Sequence, residues 1–266
     1  MRHTLYEHAV NIRDRLFGGH KLFFFPAARK EGEEPRPFAL ILPGGGYSFV
    51  SVGFEGLPTA RFLNSRGVTA FVLRYDTGRK GRYPAPQREV AEAVAHILAN
   101  ADGYGVSAQG YSVWGYSAGG HLAASFGTDA MGYKNYGVPA PALLVLGYPV
   151  ITMRETGAHP CLRNLFGKDL SAFPFGSIEG QITADYPPTY VWCCEGDNIV
   201  SDNNTRLMRA ALEARGVPCR GGIFPGVRRG HGISIGTGTA AEGWADEALA
   251  FWRELCGGRK QSEPQI

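Results

Sequence analysis

Gly115-Tyr116-Ser117-Ala118-Gly119 is the stretch on which the reading of this chain turns. It follows a short β-type run at 111–114 and precedes Gly120-His121-Leu122-Ala123-Ala124, which reads as the start of a helix. In that setting G-x-S-x-G marks a sharp strand-to-helix turn that exposes a serine hydroxyl, with glycines where strand and helix must approach closely. The pattern alone is weak, because a glycine-rich chain supplies roughly 0.2 matches by chance. A second match, Gly232-Ile233-Ser234-Ile235-Gly236, is present. It follows Gly226-Val227-Arg228-Arg229-Gly230, which reads as loop, so context favours Ser117 and leaves Ser234 as a turn residue.

Outward from that turn, β-type runs fall at 22–25, 38–42, 68–73, 111–114, 142–146, 189–193 and 220–224. Several are apolar throughout, as in strands of a parallel sheet covered on both faces. Helical patterns lie between them at 57–65, 86–99, 118–126, 203–214 and 240–255. Strand and helix alternate for most of the chain, which implies a three-layer α/β fold with a mostly parallel central sheet and helices on both faces. Leu5, Ala9, Ile12 and Leu16 make one stripe at helical spacing, so 1–19 is expected to hold an N-terminal helix. Residues 151–187 break the rhythm with Pro160, Pro174, Pro187 and Pro188 and read as an excursion rather than a second domain. Residues 257–266 read as a flexible polar tail, and 1–266 as a single domain.

Composition removes several classes. The 266 residues hold 37 glycines without a Gly-X-Y period and are 44% hydrophobic, so neither collagen nor wholesale disorder fits. A balance of 27 basic against 24 acidic residues, with no dense basic block, gives no sign of nucleic-acid binding. The five cysteines are odd in number and lack zinc-site spacing, so neither a disulfide framework nor a metal site is expected. Charges interrupt the N-terminus and no run reaches eighteen apolar residues, so the expectation is a soluble cytoplasmic protein without membrane contact.

A serine hydroxyl needs a base, and the base needs an orienting carboxylate. His231, after the last β-run and before the final helix, is the expected base; His159 comes too early unless Glu155 were the acid. Asp197, in the loop leaving the run at 189–193, is the favoured acid over its rivals Glu195 and Asp202. Catalytic groups gather at such carboxyl ends of strands. Pro43-Gly44-Gly45-Gly46-Tyr47 follows the run at 38–42, and its N–H groups, with that of Ala118, are candidate donors to an oxyanion. It carries neither a P-loop nor a dinucleotide fingerprint, and no cofactor is expected. His121, one turn past Ser117, reads as a packing histidine; Tyr47, Tyr116 and His159 are the candidate substrate contacts.

With these pieces placed, the chain resembles α/β-hydrolase fold esterases, and more narrowly the acetyl esterase and lipase group that includes acetylxylan and feruloyl esterase-like enzymes. The resemblance is carried by the motifs above together with Phe54-Glu55-Gly56, Leu73-Arg74-Tyr75, Tyr83-Pro84-Ala85-Pro86, Gly147-Tyr148-Pro149-Val150-Ile151, Asn164-Leu165-Phe166-Gly167 and Pro187-Pro188-Thr189-Tyr190. It implies Ser117 as nucleophile, His231 as base and then acid, and Asp197 as the orienting acid. Many relatives have histidine where Pro43 stands. Proline has no N–H to offer, so Gly45 and Gly46 are the preferred oxyanion donors. The expected activity is that of a serine carboxylesterase removing small acyl groups, acetyl first, from small-molecule esters, with carbohydrates among the candidates. The small-acyl expectation rests on the lack of a large cap domain; only the excursion, with Phe166, Phe173 and Phe175, is available as a roof. A lipase or serine peptidase uses the same triad, and a non-catalytic binding protein of this fold is the remaining alternative.

Overall fold

A computed structural model describes residues 10–11, 21–30, 32–155, 159–168, 170–227 and 230–259. In chain order the strands and helices are β1 (Val10–Asn11), β2 (Lys21–Phe25), β3 (Ala39–Leu42), α1 (Leu57–Ser65), β4 (Ala70–Arg74), α2 (Ala85–Ala99), α3 (Ala101–Tyr104), β5 (Ser112–Tyr116), α4 (Ala118–Phe126) and β6 (Leu143–Gly147). They continue with α5 (His159–Phe166), α6 (Phe173–Gly176), β7 (Thr189–Cys194), α7 (Asn203–Ala214), β8 (Cys219–Arg220), β9 (Ile223–Phe224) and α8 (Trp244–Arg259). The sheet runs β1-β2-β4-β3-β5-β6-β7-β8, with β9 also paired to β7. β1 and β2 are antiparallel to their neighbours, and all other pairings are parallel.

Every residue of β3, β5, β6 and β7 is buried. Their side chains divide by the two-residue period of a strand. Leu40, Leu42, Val113, Leu144, Leu146 and Val191 face a core completed by α2, α4 and α7. Ile41, Trp114, Leu143, Val145, Tyr190 and Trp192 face the opposite core, closed by α1 and α8. This is the physical reason that the strands are apolar without alternation: both faces are covered.

Three expectations need correction. Val10–Asn11 is a strand, paired with Phe24 and Phe23, rather than part of a helix. The pairing covers the open hydrogen-bonding edge of β2, which an N-terminal helix would leave exposed. Leu5, Ala9, Ile12 and Leu16 lie outside the described residues. The run at 220–224 is two strands, β8 and β9, separated at Gly221-Gly222. Gly221 has φ +94° and the Gly222 carbonyl accepts from Cys193 N–H, so the chain bulges and then resumes pairing with β7. The final helix starts at Trp244, four residues later than expected, and carries Gly257 and Gly258 in its last turns instead of releasing them as tail. Residues 260–266 lie outside the described residues.

Between β6 and β7 the chain forms α5, α6 and two short 3₁₀ turns, Leu170–Ala172 and Ile178–Gln181. Phe166 and Phe175 pack on Tyr83 and on each other, with ring centroids 5.1–6.0 Å apart. The Phe173 side chain lies outside the described residues. No helix among the described residues is long and apolar enough to cross a membrane.

The junction of α4 with the sheet is tightly packed. A Cβ at Gly119 would sit 2.1 Å from the Leu42 carbonyl oxygen and 2.5 Å from that of Pro43, and one at Gly115 would sit 2.2 Å from the Gly119 oxygen. These are backbone obstacles that no rotamer change relieves. Gly119→Ala is therefore expected to lower unfolding free energy by about 2 kcal/mol or more, measured by thermal or urea denaturation. Gly180→Ala, with nothing within 4 Å of the added carbon, should change it by less than about 0.5 kcal/mol.

Candidate active site

Ser117 sits between β5 and α4 with φ 53° and ψ −121°, a conformation costly for any residue with a side chain. Its neighbours hold it there. The Ser117 N–H donates to the Gly147 carbonyl at 3.0 Å, and its own carbonyl accepts from His121 N–H at 3.1 Å and Val150 N–H at 3.2 Å. The end of β6 and the first turn of α4 thus grip the turn from both sides. The residue is 8% exposed in an otherwise buried segment.

The structure brings Ser117, His231 and Asp197 together. His231 Nε2 is 2.9 Å from Ser117 Oγ, and Nδ1 is 2.7 Å from Asp197 Oδ2. The Asp197 carboxyl is fully buried, and its other oxygen accepts from the N–H groups of Ile199 at 2.8 Å and Val200 at 3.0 Å. Those donors fix the carboxylate plane and leave Oδ2 aimed at the imidazole. With a carboxylate on Nδ1, that nitrogen carries the proton and Nε2 presents a lone pair to the serine. One face of the His231 ring is covered by Tyr148, whose centroid is 4.8 Å away. Glu195 and Asp202, the alternative acids, are on the same loop and the following helix cap, and neither contacts His231 among the described bonds.

The glycine loop after β3 is held by its carbonyls. Pro43 O accepts from the Tyr75 hydroxyl, Gly44 O from Ser51 N–H, Gly45 O from the N–H groups of Ser48 and Phe49, Gly46 O from Asn164 Nδ2 and Tyr47 O from Gly78 N–H. The Gly44 N–H is also occupied, donating to Glu55 Oε2 at 2.5 Å. Gly45 and Gly46 have no acceptor for their N–H groups among the described residues, and Ala118, first in α4, has no intrahelical one. Gly44 packs against Ser117, since a Cβ on it would lie 2.8 Å from that of the serine. The loop and the elbow therefore meet beside the hydroxyl.

Two of the expected substrate contacts turn inward. Tyr47 is fully buried and its hydroxyl bonds His121 Nδ1 at 2.8 Å, while Tyr116 is buried with its hydroxyl 2.8 Å from Thr59 Oγ1. Both phenols serve the scaffold, because residues at the end of a central strand and behind a tight loop have no path to solvent. The His159 side chain lies outside the described residues. Ser234, the second motif serine, is buried in the same scaffold. It has φ 50°, donates its N–H to the Tyr148 hydroxyl, and its side chain reaches Thr59. Sequence reasoning missed Asn164, Glu55 and Tyr148. Each lies in a quoted motif, but only the hydrogen bonds reveal what it holds.

A small cavity of about 250 Å³ opens beside Asp197, lined by Val150, Glu155, Asn198, Ser201 and Asn204. A larger groove, about 1670 Å³, runs past Arg36, Tyr111 and Trp252 at the opposite ends of the strands and touches none of the three residues around His231. Among the described residues no group of three His, Cys, Asp or Glu side chains is placed to hold a metal ion.

With this geometry in view, the solved structure of an acetyl ester-xyloside bifunctional hydrolase from Caldicellulosiruptor lactoaceticus superposes with a TM-score of 0.71 at 27% identity, covering 91% of this chain and 88% of that one. The chain has the α/β-hydrolase fold. A carboxylesterase of Lactobacillus plantarum shares the fold at TM-score 0.73 and 23% identity, over 89% of this chain and 92% of that one. The BD-FAE family model matches residues 27–135 of this chain. In sequence it is 29% identical over 221 residues to endo-1,4-beta-xylanase B of Butyrivibrio fibrisolvens, and 29% identical over 216 residues to an acetylxylan esterase of Xylanibacter ruminicola. Those alignments cover 79% and 77% of this chain but only 34% and 43% of the relatives' lengths. The matches carry the resemblance to the acetyl esterase and lipase group that the motifs suggested.

His121 gives this scaffold a tether with a pH signature. Its Nε2 donates to the Gly176 carbonyl at 2.8 Å, so Nδ1 is the acceptor of the Tyr47 hydroxyl and the ring is neutral. Burial pushes its pKa down to about 4, against a smaller opposing effect from Gly176. The unfolded chain binds a proton near pH 6.5 and the folded one only near 4. The tether's contribution to stability is thus present above about pH 6.5 and is lost as pH falls through 4. Nitrogen-15 NMR should show His121 as the Nε2–H tautomer without titration down to about pH 4; an imidazolium at pH 6 would refute the assignment.

Proposed function

We propose that this α/β-hydrolase is a serine carboxylesterase that hydrolyses small acyl esters, acetyl first, with acylated carbohydrates as the leading substrate class. The observation that carries the reading is the continuous chain Ser117 Oγ, His231 Nε2, His231 Nδ1, Asp197 Oδ2, with both links within hydrogen-bonding distance. His231 takes the serine proton as Oγ attacks the ester carbonyl, and Asp197 stabilises the imidazolium that results. The N–H groups of Gly45, Gly46 and Ala118 donate to the developing oxyanion. The imidazolium then protonates the departing alcohol, leaving an acyl-Ser117. Water, activated by the same nitrogen, releases the acid.

The carbohydrate and acetyl elements draw support from the names of the Xylanibacter esterase and the Caldicellulosiruptor hydrolase. The small-acyl element is supported by the tight turns around Ser117 and by a segment between β6 and β7 whose aromatic rings pack on one another. Replacement of Ser117 by alanine should reduce ester turnover about 10⁶-fold and abolish fluorophosphonate labelling, and Asp197→Asn should reduce turnover about 10⁴-fold. The substrate test is a panel of acetyl, butyryl, octanoyl and feruloyl esters with acetylated xylo-oligosaccharides. Acetyl preference is expected. Preference for octanoate would replace the reading with a lipase, and labelling of Ser117 without any ester turnover would replace it with a peptidase or amidase.

A further inference from the structure

Glu55 is an ionisable side chain in the wrong place for a solvated acid. It lies on a single π-helical turn, Val52–Gly56, and is 3% exposed. Burying a carboxylate is unfavourable unless its oxygens are satisfied, and here both are. Oε2 accepts from Gly44 N–H at 2.5 Å and Oε1 from the Tyr148 hydroxyl at 3.0 Å. The Tyr148 oxygen in turn accepts from Ser234 N–H at 3.1 Å, and the Tyr148 ring lies against His231. One carboxyl thus bridges the glycine loop on one side of Ser117 and the aromatic wall of His231 on the other.

The bridge has two consequences. Spending the Gly44 N–H on Glu55 fixes the Pro43–Gly44 peptide and so anchors the start of the turn that carries the next two N–H groups. The second is electrostatic. Burial raises the Glu55 pKa, while the Gly44 N–H, the Tyr148 hydroxyl and the charge of His231 act to lower it. The other titratable groups that respond to Glu55 are Tyr148, Tyr116 and Tyr75, near the carboxyl ends of β6, β5 and β4. Burial raises all three phenols far above neutral pH, so they carry no charge there. Glu55 and Asp197 are both carboxyl groups that interact with His231.

We propose that Glu55 is a positioning residue, whose carboxylate aligns the Gly45 and Gly46 N–H groups through Gly44 and supports the His231 imidazolium through Tyr148 and by its charge. The proposal rests on the Ser117–His231 reading above. A negative charge beside His231 favours its protonated form. A neutral isostere removes that support and moves the acidic limb of kcat/KM to lower pH.

The test uses the full chain with an activated acetyl ester. Glu55→Gln is expected to lower kcat at least about tenfold with KM within about threefold, because an oxyanion contact matters in the transition state. Its acidic limb should shift down while Tm shows that the fold persists. Glu55→Asp keeps the charge but withdraws it by one methylene, so it should lose kcat with the limb near its wild-type position. That variant carries the test if Glu55→Gln does not fold. An unchanged kcat and limb in Glu55→Gln, or the same limb shift in both variants, overturns the proposal. Fluorophosphonate labelling of wild-type Ser117 separates the two readings: labelling with an unchanged Glu55→Gln profile removes only this inference, and no labelling removes both.

Discussion

The close approach of α4 to the ends of β3 and β5 is the constraint from which the site follows. Helix and strands touch backbone to backbone at Gly115 and Gly119. Only that contact lets the chain reverse within the single residue Ser117, whose dihedral angles are held by hydrogen bonds to Gly147, Val150 and His121. A looser junction would let the turn relax into ordinary helix, and the hydroxyl would rotate away from the imidazole. The strain is local, and the packing that sustains it extends through both cores of the sheet.

Around this turn the backbone is organised by subtraction. Each carbonyl from Pro43 to Tyr47 has a partner, as does the Gly44 N–H, while the N–H groups of Gly45, Gly46 and Tyr47 have none among the described residues. Buried backbone groups normally find partners, and in the proposed reaction the open N–H groups of Gly45 and Gly46 would find theirs in an anionic oxygen. The partners come from far apart in sequence: Tyr75 after β4, Ser51 and Glu55 from the turn before α1, Asn164 from α5.

Sequence patterns made the central strands and several helices legible because their cause is local. Apolar runs without alternation imply two covered faces, and α1, α4 and α7 fall at the expected residues. Ser117, His231 and Asp197 were findable because chain order and strand-end position restrict the choices to a few residues. Tyr47 and Tyr116 were misread because a tyrosine in a motif looks the same whether its hydroxyl meets a ligand or a buried threonine. The β1 pairing and the α8 boundaries were not legible for a related reason. A two-residue strand has no measurable period, and glycines at 257 and 258 weaken a helix pattern that packing of Trp244, Leu249 and Trp252 sustains.

Asn164 and Gly176 belong to the segment most easily regarded as an accessory, yet they hold Gly46 and His121. The segment is therefore not a detachable module. Exchanging it for the corresponding piece of a protein with the same fold removes two fasteners of the glycine loop and its surroundings at once unless the incoming piece supplies an amide at one point and a carbonyl at the other. Compatibility between a donated cover and this scaffold is decided by those two atoms before any residue that faces the substrate comes into play.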